Sequence, residues 1–134
     1  MVRTLVVDGS REQRQAVVEA LLRVIGITVQ GAVPSCSAAV RALGDITPDL
    51  VVMGTDLEDG NALELLVALR SEERRPAVIV VGPSRQLLVH IVWGADRYVP
   101  NDREVDSVAD VAIELARTRA AINAPTSSPR AAAS

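Results

Sequence analysis

Two uninterrupted apolar runs, Leu50-Val51-Val52-Met53 and Val78-Ile79-Val80-Val81, constrain this chain more than any other feature. A strand that is apolar at every position is covered on both faces, as in parallel sheets flanked by helices. Pro48-Asp49 and Pro76 introduce the two runs, and Gly82-Pro83 ends the second. Around them, short apolar stretches alternate with amphipathic ones. Thr4-Leu5-Val6-Val7 reads as a first strand ending at Asp8-Gly9-Ser10. Val17, Val18, Leu21, Leu22 and Ile25 recur at helical spacing, predicting a helix from Arg11 to about Ile25 that Gly26 stops. Ile27-Thr28-Val29 follows as a second strand. Ser35 or Ser37 is placed to cap a helix carrying Ala39, Val40 and Leu43, which Gly44 closes.

The second half repeats the scheme. Glu58-Asp59-Gly60-Asn61 reads as a turn before a helix over 62–70, and Ser84 as the cap of a helix from Arg85 to Trp93. Gly94 ends that helix, Arg97-Tyr98-Val99 is a short fifth strand, and a last helix runs from Val105 to Ala120. Five such units with short loops predict an α/β fold, a doubly wound five-stranded parallel sheet with helices on both faces. The 134 residues amount to one domain, expected over 1–121. Residues 122–134, with Pro125 and Pro129 and no apolar period, read as a flexible tail or linker.

Composition narrows the function. Aromatic residues are 1% of the chain, with Trp93, Tyr98 and no Phe, so the core is aliphatic and the composition argues against stacking platforms for single-stranded nucleic acid. A net charge of -3 and a pI near 5.1 argue against direct nucleic-acid binding by this domain. A single cysteine, Cys36, forms neither an internal disulfide nor a zinc cage. No stretch approaches the apolar length of a membrane span, and the Met1 end lacks a basic-then-apolar signal layout. A cytoplasmic location, away from membranes, is expected.

In this order and spacing the chain resembles the receiver domain of two-component response regulators, from about Val2 to Ala120. The resemblance rests on Leu5-Val6-Val7-Asp8 with Arg14, and on Pro48 through Met53 followed by Leu57. It continues ungapped through Asp59-Gly60-Asn61-Ala62-Leu63-Glu64-Leu65-Leu66 with Leu69-Arg70. Pro76 to Val81 and Gly94-Ala95-Asp96-Arg97-Tyr98 complete it. It implies the flavodoxin-like receiver fold and one reaction, phosphorylation of an aspartate at the end of the third strand. In receivers a magnesium ion, an acidic pair after the first strand, a hydroxyl after the fourth and a lysine after the fifth assist that reaction. Such groups are what the charge of a phosphoryl group and a hard cation require.

This sequence departs from that set at nearly every position. The phosphoacceptor position is Gly54, which has no nucleophile. Of the acidic pair Asp8 remains and the second is Gly9. The hydroxyl position is Val81 or Gly82, according to whether Pro76 or Ala77 matches the family proline. The lysine position is Asn101, followed by Asp102 in place of the usual proline. Aspartyl phosphorylation by the family route is therefore excluded, and neither an enzyme nor a cofactor is expected. Asp56, two residues past Gly54, is the weak candidate to join Asp8 in a metal site; the plainer reading is that Asp56, Glu58 and Asp59 solvate a turn.

Lone residues carry less. Gly9-Ser10 lacks the further glycines of a dinucleotide loop, and Cys36 has no His or Cys beside it. His90 has no base, nucleophile or metal partner and reads as a surface or interface residue. The fourth helix is more informative, being apolar nearly all round through Leu87, Leu88, Val89, Ile91, Val92 and Trp93. A helix of that kind is expected to be covered on its second side. Leu87, Leu88, His90, Ile91, Val92, Trp93 and Tyr98 form the expected interface, in the region where receivers dimerise or dock partners.

The expected function is a phosphorylation-independent, receiver-like signalling domain. It acts by protein association or homodimerisation in a two-component-type pathway, with a possible effector domain beyond the tail. The alternative is a small-molecule sensor. Gly9, Gly54 and Gly82 would then leave an enlarged cavity at the carboxyl end of the sheet, where doubly wound folds bind ligands.

Overall fold

The computed structural model describes residues 1–86, 89, 91, 93–101 and 107–122. In chain order the elements are β1 (Val2–Val7), α1 (Arg11–Leu22), β2 (Ile27–Val33), α2 (Cys36–Leu43) and β3 (Leu50–Gly54). The short strands β4 (Asp56–Leu57) and β5 (Gly60–Asn61), then α3 (Ala62–Arg70), β6 (Ala77–Gly82), β7 (Arg97–Pro100) and α4 (Ser107–Ile122) follow. Strands β2-β1-β3-β6-β7 form one parallel sheet in that order, and β4 and β5 form a separate antiparallel hairpin.

The continuous apolar runs are buried for the reason their composition suggests. Alternate residues of each strand enter different cores. Leu5, Val7, Val51, Met53, Val78 and Val80 face α2 and α3, meeting Ala39, Leu65, Leu66 and Leu69. Val6, Val52, Ile79, Val81 and Val99 face the other way, against Val17 and Leu21 of α1 and Val108, Ala112 and Leu115 of α4. The doubly wound fold with helices on both faces is confirmed. The strand order reverses between β1 and β3, and the crevice outside the carboxyl ends of such strands is where this architecture places function.

Thr4, between Val2 and Val6 on the α1/α4 side, is fully buried, and its hydroxyl has no hydrogen-bond partner among the described residues. A buried hydroxyl without a partner loses its hydration uncompensated. Thr4→Val, nearly the same shape, is expected to stabilise the protein by about 1–2 kcal/mol in chemical denaturation. An unchanged or lower midpoint would show that the hydroxyl is satisfied.

Several local expectations need correction. Helix α1 ends at Leu22 rather than near Ile25, and Ile25 is fully exposed. The Val24 amide bonds back to the Leu21 carbonyl, and Gly26 at φ +99 takes the left-handed conformation that turns the chain into β2. Strand β2 runs on to Val33, past a register shift in which Thr4 pairs with Val29 and Leu5 with Gly31. Of the two candidate caps for α2, Ser35 is the one used, accepting from the Ala38 amide at 3.0 Å. The turn over 58–61 belongs to the β4–β5 hairpin. Ser84–Gln86 is a 3-10 turn rather than the start of an α-helix. Val89, Ile91 and Trp93 are helical, whereas Leu87, Leu88, His90 and Val92 lie outside the described residues. The last helix is described from Ser107 to Ile122, one residue into the expected tail; Asp102, the expected helix start at Val105 and residues 123–134 lie outside the description.

Candidate functional site

Asp8 is the first residue past β1 and only 4% exposed. The Ser10 amide donates to its Oδ1 at 2.9 Å, which folds the chain back into α1, and Ser10 Oγ in turn caps that helix by accepting from the Gln13 amide at 3.2 Å. Gln13 Nε2 donates to Asp8 Oδ2, and Arg14 Nη1 donates to the Asp8 carbonyl oxygen at 2.7 Å. Burial pushes the Asp8 carboxyl above the ordinary carboxylate range. The hydrogen bonds from Ser10 and Gln13 and the charge of Arg14 pull it down without cancelling that effect, and nearby Asp56 adds to the rise.

The three glycines at the carboxyl end do not leave open space, contrary to the expectation of an enlarged cavity. A Cβ on Gly54 would overlap Asp8 Oδ2 and lie 2.6 Å from its Cγ and 2.8 Å from its Oδ1, so the Asp8 carboxylate stands in the volume of the missing side chain. A Cβ on Gly9 would lie 2.5 Å from the Asp56 carbonyl oxygen, which already accepts the Gly9 amide at 3.0 Å. At Gly82 it would overlap Thr55 Cγ2 and lie 2.7 Å from the Tyr98 hydroxyl. Gly82 thus faces the cleft, while Val81, the other candidate for the hydroxyl position, is buried on the α1/α4 side. A cavity of about 90 Å³ lies at the opposite end of the sheet, lined by Leu69, Arg70, Pro76 and Asp96 among others.

Asn101, at the lysine position, donates from its backbone amide to the Gly82 carbonyl at 2.8 Å and from Nδ2 to Gln13 Oε1 at 3.0 Å. Tyr98 is half-buried against the α2/α3 core, and its hydroxyl donates to the Pro83 carbonyl. That makes it a packing residue more than an exposed contact. Val89, Ile91 and Trp93, in contrast, are 46%, 39% and 50% exposed. Of the expected interface, Ile91 and Trp93 are exposed among the described residues, and Val89, outside that expectation, is exposed beside them in sequence.

The residues present do not fit a magnesium ion of the kind receivers use. Both Asp8 oxygens already accept hydrogen bonds, positions 9 and 54 offer no carboxylate, and the Asp56 side chain is exposed. Among the described residues no group of three His, Cys, Asp or Glu converges. Asp59 does something the sequence did not signal. Its carboxylate accepts the Cys36 amide at 2.7 Å and the Ser37 amide at 3.0 Å, capping α2 from another loop. The hydrogen bonds from Ser37 and then Cys36 hold its carboxyl below the ordinary range. Burial, then the charges of Asp59 and Glu64, push the Cys36 thiol up, away from the reactive thiolate.

This architecture is the receiver-domain fold. No family model and no curated protein matches the chain, but solved structures superpose closely. The response regulatory domain of mrkE from Klebsiella pneumoniae aligns with TM-score 0.78 at 8% identity, covering 87% of this chain and 96% of that one. The receiver domain of Francisella response regulator 1452 gives 0.74 at 20% identity over 88% and 99%. The RcsB response regulator of Salmonella typhimurium gives 0.76 at 10% identity, covering 88% of this chain and 62% of that longer one. Among the described residues no helix is long and apolar enough to cross a membrane.

Proposed function

We propose that this is a receiver-like signalling domain of a two-component-type regulator whose output does not depend on aspartyl phosphate. The observation that carries the reading is the Gly54–Asp8 contact: the acceptor position has no carboxylate, and the neighbouring acid occupies its place. The remaining partners of the phosphoryl chemistry are missing at Gly9 and Gly82, and an amide stands at Asn101. Output then runs through association. The exposed Val89, Ile91 and Trp93 offer an apolar surface to a second copy or a protein partner. The RcsB chain, described for DNA interaction, extends beyond the part this chain covers, which supports a place for such a domain beside an effector. The ligand-sensing alternative loses its main support, since the space left by the three glycines is filled by Asp8, Asp56, Thr55 and Tyr98.

Incubating the protein with acetyl phosphate and magnesium tests the first half, with intact mass as the readout. No added phosphoryl mass is expected, and a hydroxylamine-labile adduct would overturn the reading. Sedimentation of the parent and of Trp93→Glu tests the second half. Self-association or partner binding that Trp93→Glu leaves unchanged would remove the surface from consideration.

A further inference from the structure

We infer that Gln13 and Asn101 form a latch that closes the carboxyl edge of the sheet, joining the start of α1 to the end of β7 through the buried carboxylate of Asp8. Strands β1 and β7 are not neighbours, because β3 and β6 lie between them. Three strand spacings amount to about 14 Å, yet Gln13, in the first turn of α1, and Asn101, just past β7, meet at 3.0 Å. The bridge therefore crosses the end of the sheet beyond Gly54 and Gly82.

The direction of each bond in the chain is fixed by chemistry. A carboxylate only accepts, so Gln13 must present its NH2 group to Asp8 Oδ2. Its Oε1 is then left as an acceptor, and the Asn101 NH2 group is the donor that meets it. Asn101 is itself anchored, its backbone amide bonded to the Gly82 carbonyl at 2.8 Å. At the other end Asp8 is fixed by the Ser10 amide and by its fit against Gly54. A side chain at 54 would push Asp8 away from Gln13. The glycine and the two amides are thus one device, which holds the edge in a single arrangement without a phosphoryl group or a metal.

The latch deepens the proposed reading of this cleft. Its test is read by amide exchange rather than by phosphoryl transfer or association, so either can fail alone. Native-state hydrogen exchange on the full chain would compare the parent with Gln13→Ala and Asn101→Ala. Asn101 is exposed and Gln13 half-buried, so both variants should fold. The informative probe is the Ser10 amide, which is bonded to Asp8 and touches neither substituted side chain. Each variant is expected to speed its exchange by roughly three- to tenfold, the worth of one hydrogen bond, and the double variant by no more than either single one. Glu114→Ala, which removes the Arg97 ion pair on the outside of β7, should leave Ser10 unchanged. Ser10 exchange that is unaltered in Asn101→Ala, or effects that simply add in the double variant, would overturn the latch.

Discussion

Placing an aspartate at position 54 is expected to destabilise the protein by roughly 2–4 kcal/mol and to add no phosphorylation. The new Cβ overlaps the Asp8 carboxylate, which is only 4% exposed and has both oxygens engaged. Asp8 must leave its donors, or two carboxylates must share a site whose burial already disfavours the charged form of one. Thermal unfolding should show a midpoint lower by roughly 10 °C, and acetyl phosphate with magnesium should leave the mass unchanged. A Gly54→Asp variant as stable as the parent would mean that Asp8 swings into solvent at little cost, and that the fit between residues 8 and 54 is incidental.

The second large effect is expected at Gly9, where the obstacle is backbone. Restoring the acidic pair with Gly9→Asp sets a Cβ 2.5 Å from the Asp56 carbonyl oxygen and 3.2 Å from the Leu57 Cα. The β4 segment would have to retreat, breaking the bond from the Gly9 amide and disturbing Leu57, which is 8% exposed in the α2/α3-side core. A loss of about 2–3 kcal/mol in denaturant unfolding is expected. Gly9→Ala should reproduce most of it, because the carbonyl obstructs the first carbon. If Gly9→Ala is neutral while Gly9→Asp is costly, charge and not space is responsible.

Both expectations rest on contacts that are not visible in the chain itself. The missing side chains are plain from the residues: glycine at 54 has no nucleophile, and glycine at 9 has no carboxylate. The filling is not, since the groups that occupy those volumes come from elsewhere in the chain. Asp56 covers Gly9, and Thr55 and Tyr98 cover Gly82. The reading of three glycines as an open cavity failed for that reason. Asp59 is a further case. It sits in a sequence that looks like a turn, yet it caps a helix that begins more than twenty residues earlier, and no local pattern announces such a pairing.

Ile25 failed differently. It continues the apolar period of α1, but periodicity describes a helix only while the helix lasts, and the chain leaves it after Leu22 for the left-handed turn at Gly26.

By itself the sequence determined the parallel, doubly wound sheet, because runs such as Leu50–Met53 and Val78–Val81 are stable only when helices cover both faces. It also determined that positions 9, 54 and 82 carry no side chain, and the proposal of a phosphate-independent output starts there. Only the tertiary structure decided what became of the emptied cleft. Asp8, Asp56, Thr55 and Tyr98 occupy the space beside Gly54, Gly9 and Gly82, and Asp8, Gln13 and Asn101 are joined by hydrogen bonds, because a volume and a hydrogen bond belong to whatever the fold brings close and not to what the chain places in succession.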